Sequence, residues 1–157
     1  MNTPRPEMTA EQIRRYLTEV GALLAAKGIT GEIVLAGGAV MVLALHARGG
    51  SRDVDAVFTK EADAIREAAR QVAESNGLPA IWLNDHVRSF VADGAPTVEL
   101  FDVPGLRVRM VRFDYLFYMK AWAGDPIDQR DLRVIAKAYS PGALPREIQI
   151  LLESLFE

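Results

Sequence analysis

The chain has 157 residues, half of them apolar, with 18 Lys and Arg against 21 Asp and Glu. That is the length of one domain and a globular rather than a disordered composition. There is no cysteine and His46 and His86 are the only histidines, which excludes disulfide frameworks, thiolate zinc sites, iron–sulfur clusters and histidine-rich metal centres. The net charge of −3 gives the whole chain no attraction for nucleic acid, so such a partner would need a local basic patch.

Residues 1–8, with Pro4 and Pro6, read as a loose arm. They carry no apolar run of the kind a secretory leader has. The longest uncharged stretch, Ile33 to Ala47, is too short to span a bilayer, so a cytoplasmic protein without a membrane partner is expected. Thr9 and Gln12 fit a capping box, and Ile13, Leu17, Val20 and Leu24 follow at helical spacing up to Gly28. Ile33-Val-Leu-Ala is a short buried strand, and Gly37-Gly38 turns the chain into an apolar helix from Ala39 to about His46. Arg52 to Phe58 is a strand and Thr59 to Asn76 a helix, ended by Gly77. Ala80-Ile-Trp-Leu is a candidate strand, followed by a short helical turn through Phe90. Thr97–Phe101 and Leu106–Val111 are strands joined by Val103-Pro-Gly. Helices are expected over Asp114–Ala123, Asp128–Tyr139 and from Pro145 to Phe156. The fold class is α/β (α+β): one domain over 1–157, with a mixed-sheet core over about 9–111 and a helical C-terminal lobe over about 112–157.

Chemistry concentrates in Ser51-Arg-Asp-Val-Asp-Ala-Val-Phe. On a strand, Val54, Ala56 and Phe58 face a core while Asp53, Asp55 and Val57 face the other way. Two carboxylates on one face, about 6.5–7 Å apart, repel each other unless a divalent cation lies between them. Solvated aspartates on an exposed face are the bland alternative, although aspartate is a poor strand former. Upstream, Gly37-Gly38 sits between a strand and a helix, where backbone N–H groups approach a phosphate closely.

The blocks Val34-Leu-Ala-Gly-Gly-Ala-Val-Met-Val, Arg48-Gly-Gly-Ser-Arg-Asp-Val-Asp, Met119-Lys-Ala-Trp-Ala and Asp128-Gln-Arg-Asp-Leu occur in that order. Across residues 31 to 139 the chain thereby resembles the small nucleotidyltransferases of the polymerase-β superfamily. Within them it is most similar to the AbiEii-type toxins of bacterial toxin–antitoxin and abortive-infection systems and their single-domain relatives. The resemblance implies transfer of a nucleotide from a nucleoside triphosphate to an acceptor hydroxyl on RNA such as tRNA, on protein or on a small molecule. It implies Gly37 and Gly38 at the triphosphate, Asp53 and Asp55 at two Mg²⁺ ions, Lys120 on the nucleotide phosphates and Asp131 at a late acidic position near the site. It also implies a third carboxylate on a following strand; Glu99 in Thr97-Val-Glu-Leu-Phe is the candidate and Asp102 the competitor. Ser51 and Arg52, beside the carboxylates, join the phosphate-binding set, with pairing to Asp53 or Asp55 as the alternative for Arg52. The chain departs from the family in having Gly-Gly where many members have Gly-Ser, and in a longer interval to Asp-x-Asp. A catalytically inactive binding module, for instance a partner in a toxin–antitoxin pair, is the alternative.

Other residues have simpler readings beside the functional ones. Lys120 on an apolar helical stripe suits a side chain that snorkels to water. Asp131 suits a first-turn carboxylate facing the helix dipole, and Asp128 an N-cap. Arg107, Arg109 and Arg112 form the densest basic cluster, either an exposed sheet face or a phosphate contact. His46 and His86 read as structural, and no nucleophile elbow surrounds Ser51.

Overall fold

The first helix starts where the capping residues place it. Thr9 Oγ1 accepts from the Gln12 N–H at 3.2 Å, and Gln12 Oε1 accepts from the Thr9 N–H at 2.9 Å. Helix α1 spans Ala10–Ala26 and buries Ile13, Tyr16, Leu17, Val20 and Leu24 along one face. The structure, a computed structural model, describes residues 6–44, 46, 49–91 and 94–112. The three C-terminal helices expected from the sequence, with Lys120 and Asp131, lie outside the described residues.

Strand β1 (Gly31–Ala36) is followed by the short helix α2 (Gly38–Leu43), β2 (Val54–Lys60) and helix α3 (Ala62–Asn76). Then come β3 (Leu83–Asn84), a 3₁₀ turn over His86–Phe90, β4 (Thr97–Val103) and β5 (Leu106–Val111). The strands form one mixed sheet in the order β3-β2-β1-β5-β4. β1 is antiparallel to β2 and parallel to β5; β3 is parallel to β2 and β4 antiparallel to β5. The mixed α/β character expected from the sequence is therefore present.

Helices α1 and α3 cover one face of the sheet. A Cβ added to Gly31 would lie 2.9 Å from Ile65 of α3 and 3.1 Å from Leu24 of α1. Residues of the same parity, Ile33 and Leu35 on β1 and Val54 and Ala56 on β2, are fully buried. Each large aliphatic side chain so removed from water contributes about 1.5–3 kcal/mol. Trp82 closes one end of this layer: it is fully buried, its Nε1–H donates to the Ala69 carbonyl at 2.9 Å, and it meets the Tyr16 ring edge-on.

Several boundaries differ from the sequence reading, and three bear on the site. The second strand runs on to Lys60, so α3 begins only at Ala62, after Glu61 takes a left-handed conformation at φ 57°. The strand expected over 80–83 is Leu83–Asn84, because Trp82 turns into the helical layer instead of alternating. His46 has φ 52° and stands beyond α2, which stops at Leu43. Among the described residues no helix is long and apolar enough to cross a membrane.

Candidate functional site

The pairing of β1 with β2 brings the glycine pair and the aspartates together. Ala36, the last residue of β1, is the register partner of Asp55. Gly37 follows with φ 71° and ψ −150°, a conformation essentially confined to glycine. A Cβ there would stand 3.1 Å from Asp55 Oδ2 and 3.7 Å from Asp55 Cβ. The turn backbone thus lies directly against the Asp55 carboxylate, and the missing side chain is what permits it.

Gly38 opens α2, and of the first-turn N–H groups that of Val40 already donates to the Gly37 carbonyl at 3.2 Å. The helix has six residues, and its side chains from Ala39 to Leu43 are all buried. So short an element has little summed dipole, so any attraction for phosphate rests on N–H donors at the turn.

Asp53 immediately precedes β2 and Asp55 is its second residue. Val54 and Ala56 are fully buried, whereas Asp53, Asp55 and Val57 are half-buried, as the alternation predicts. The Asp53 Oδ1 atom is closed off from solvent. Two carboxylates about 6.5–7 Å apart along a strand, half-buried, suit one or more hard divalent cations with oxygen ligands. Asp53 and Asp55 could hold a divalent cation here, and the Gly37 turn lies beside Asp55.

Ser51 is 9% exposed, and its hydroxyl donates to the Asp53 carbonyl oxygen at 2.8 Å. In this arrangement it shapes the loop into Asp53 through the main chain. Arg52, between them, is exposed.

Glu99 does not join the pair. Its register row runs from Glu99 through Arg109 and Val34 to Val57, so it shares the sheet face of Asp55. But β5 and β1 stand between β4 and β2. At about 4.8 Å per strand, three steps separate the two backbones by about 14 Å. Glu99 is held instead by Arg107 at 3.0 Å and Arg109 at 3.5 Å. Asp102 lies on the same outer strand and comes no closer in strand order. Among the described residues no group of three His, Cys, Asp or Glu is arranged to hold a metal.

The basic cluster of the sequence also divides. Arg107 and Arg109 pair with Glu99, and Arg107 also with Glu32 at 3.7 Å. Arg112 follows β5, which is parallel to β1, and so lies at the end of the sheet where Gly37 lies. Its N–H donates to the Pro96 carbonyl at 2.9 Å.

One neighbour of the site reads in the sequence only as a candidate cap, with Asp85, of the turn through Phe90. Asn84 on β3 is the register partner of Asp55 and is 8% exposed. Its Nδ2 donates to the Ile81 carbonyl at 2.9 Å, and its Oδ1 accepts from the His86 N–H at 3.1 Å. The Asn-Asp-His sequence carries the signal of such a side-chain turn, but not of its pairing with β2. Asp85, next in line, accepts from Arg66 at 2.7 Å, and this hydrogen bond holds its carboxyl below its ordinary value. His86 is exposed at the start of the 3₁₀ turn that packs on β2.

No protein-family model, no curated protein and no solved structure matches the chain.

Proposed function

We propose that the corner formed by Gly37, Gly38, Asp53 and Asp55 binds a nucleoside triphosphate with Mg²⁺ and transfers its nucleotidyl group to an acceptor hydroxyl. The observation that carries this reading is the contact between the Gly37 turn and the Asp55 carboxylate. It supports a site in which the turn's N–H groups would take the phosphates and the neighbouring carboxylate the cation. Mg²⁺, when bound, would neutralise the phosphates and favour ionisation of the acceptor hydroxyl. The acceptor oxygen forms a bond to the α-phosphorus, the bond from that phosphorus to the bridging oxygen breaks, pyrophosphate leaves, and the hydroxyl proton passes to solvent. Asp53 and Asp55 supply the fixed negative charge, the glycine turn orients the triphosphate, and Lys120 and Asp131 are proposed to complete the site. A cytoplasmic setting, where triphosphates are abundant, goes with this reading. An RNA acceptor such as tRNA, in a toxin–antitoxin context, is the proposed substrate class.

The test is replacement of Asp53 and Asp55 by Asn, assayed with each labelled ribonucleoside triphosphate and total RNA. Transfer by the natural chain and none by a variant of unchanged melting temperature is the expected result. Transfer that survives the double change refutes the reading.

The separation of Glu99 from the aspartate pair favours a second reading, a binding module of the same fold without catalysis. Calorimetry with Mg²⁺ and nucleotide discriminates the two: binding without transfer, or no binding at all, supports the module.

A further inference from the structure

The N-terminal arm is tied to the loop that delivers Asp53. The Met8 N–H donates to the Ser51 carbonyl at 2.8 Å, and the Ser51 N–H donates to the Met8 carbonyl at 2.9 Å. The two residues thus form one closely bonded antiparallel pair. Met8 is anchored by its side chain, which is 5% exposed within the core, and Thr9 next to it caps α1. On the other side, Ser51 reaches forward through its hydroxyl to the Asp53 carbonyl. The chain of contacts is continuous: arm, Ser51, Asp53.

Gly50 shows how closely the arm lies. A Cβ on it would stand 2.8 Å from the Met8 carbonyl oxygen and 2.9 Å from Glu7 Cβ. Gly50 is not among the glycines with positive φ, so the backbone conformation does not demand glycine there. The arm does. Gly49, its neighbour, would meet nothing within 4 Å among the described residues.

We infer that residues Glu7 and Met8 form a latch that presets the Asp53 loop for its cation, with Met8, Gly50 and Ser51 as positioning residues. The identity of the ligand rests on the nucleotide reading above; the latch itself rests on the geometry of the arm. A loop already held in its bound conformation avoids the cost of being ordered when the ligand arrives.

The experiment uses the full chain and two readouts: hydrogen exchange at the amides of residues 51–55, and calorimetric binding of a non-hydrolysable ATP analogue across a Mg²⁺ series. The variants are Gly50→Ala and Gly49→Ala. Met8→Pro, which deletes the N–H bonded to Ser51, is the second disrupting variant should Gly50→Ala fail to fold. With Gly50→Ala, exchange at 51–55 is expected to quicken about tenfold while the amides of α1 and α3 hold their protection. The Mg²⁺ concentration for half-saturation rises about tenfold, and analogue binding without Mg²⁺ does not change. A general loss of packing would move both binding modes and the helices together. Gly49→Ala behaves as the natural chain. Unchanged exchange at 51–55 in a folded Gly50→Ala or Met8→Pro chain overturns the latch. If the natural chain binds no analogue under any condition, the nucleotide reading falls, and the exchange measurement alone decides the latch.

Discussion

Replacing Gly37 by Ala tests the geometry of the proposed site most directly. Two costs add at this position. The backbone, at φ 71° and ψ −150°, lies where a side-chain-bearing residue is strained by about 1–3 kcal/mol. The new methyl group would also sit 3.1 Å from Asp55 Oδ2, tighter than ordinary contact, so the carboxylate must give way by a few tenths of an ångström. For a domain of this size, a loss of about 2 kcal/mol lowers the melting temperature by about 4–8 °C. Gly28→Ala supplies the comparison: φ is 70° there, but a Cβ would meet nothing within 4 Å among the described residues, so backbone strain dominates. Urea unfolding of both variants separates the terms, and a Mg²⁺–nucleotide titration reads the displacement of Asp55. The expected outcome is that both variants lose stability and only Gly37→Ala loses nucleotide affinity. If Gly37→Ala bound nucleotide as the natural chain does, the turn and the carboxylate would not belong to one ligand site.

Glu99→Gln should leave Mg²⁺–nucleotide binding intact and cost no more than about 1 kcal/mol by urea unfolding, since exposed pairs with arginine contribute little. Trp82→Phe should cost about 1–3 kcal/mol, because a buried hydrogen bond to the Ala69 carbonyl and part of a fully buried ring are lost, and the change should lower chemical-denaturation midpoints accordingly. Arg66→Ala should return the Asp85 carboxyl upward to near its ordinary value of 3.8, as read by carboxylate NMR titration. The linkage has a fixed sign. Asp85 has its pKa lowered in the folded chain, so its contribution is complete above the ordinary carboxylate range. It is lost as pH falls through the lowered value. Removing Arg66 should therefore flatten the acid limb of the stability profile and leave the profile near neutrality with the same slope.

Local grammar was readable in this chain and lateral order was not. The Thr9–Gln12 box, the alternation from Asp53 to Phe58 and the strand Leu106–Val111 are each set by residues within a few positions, and each appears where the pattern puts it. Glu99 illustrates the limit. Its parity was legible and its sheet face follows from it, but nothing in Thr97–Val103 encodes that β5 and β1 intervene before β2. Arg107 and Arg109 looked like free positive charge because their partners, Glu32 and Glu99, are on strands that become neighbours only in the sheet. The place of Asn84 beside the site was not legible for the same reason: its local turn is ordinary, and its importance comes from sitting opposite Asp55. The end of β2 moved because Glu61 absorbs the turn in a left-handed conformation that its residue type does not advertise.

The central strand also sets an order of assembly. Its pairing with β2 joins positions 36 and 55, whereas its pairing with β5 joins positions 31 and 106. The second loop is about four times longer, and closing it costs about 1.2 kcal/mol more chain entropy. The β1–β2 ribbon is therefore the cheaper nucleus, and it already contains the meeting of Gly37 with Asp55. The docking of β5 and β4 is the later, long-range step, and it completes the sheet around a corner formed earlier. Substitutions in β5 should accordingly act on the unfolding rate more than on the folding rate, while those in β1 and β2 act on the folding rate.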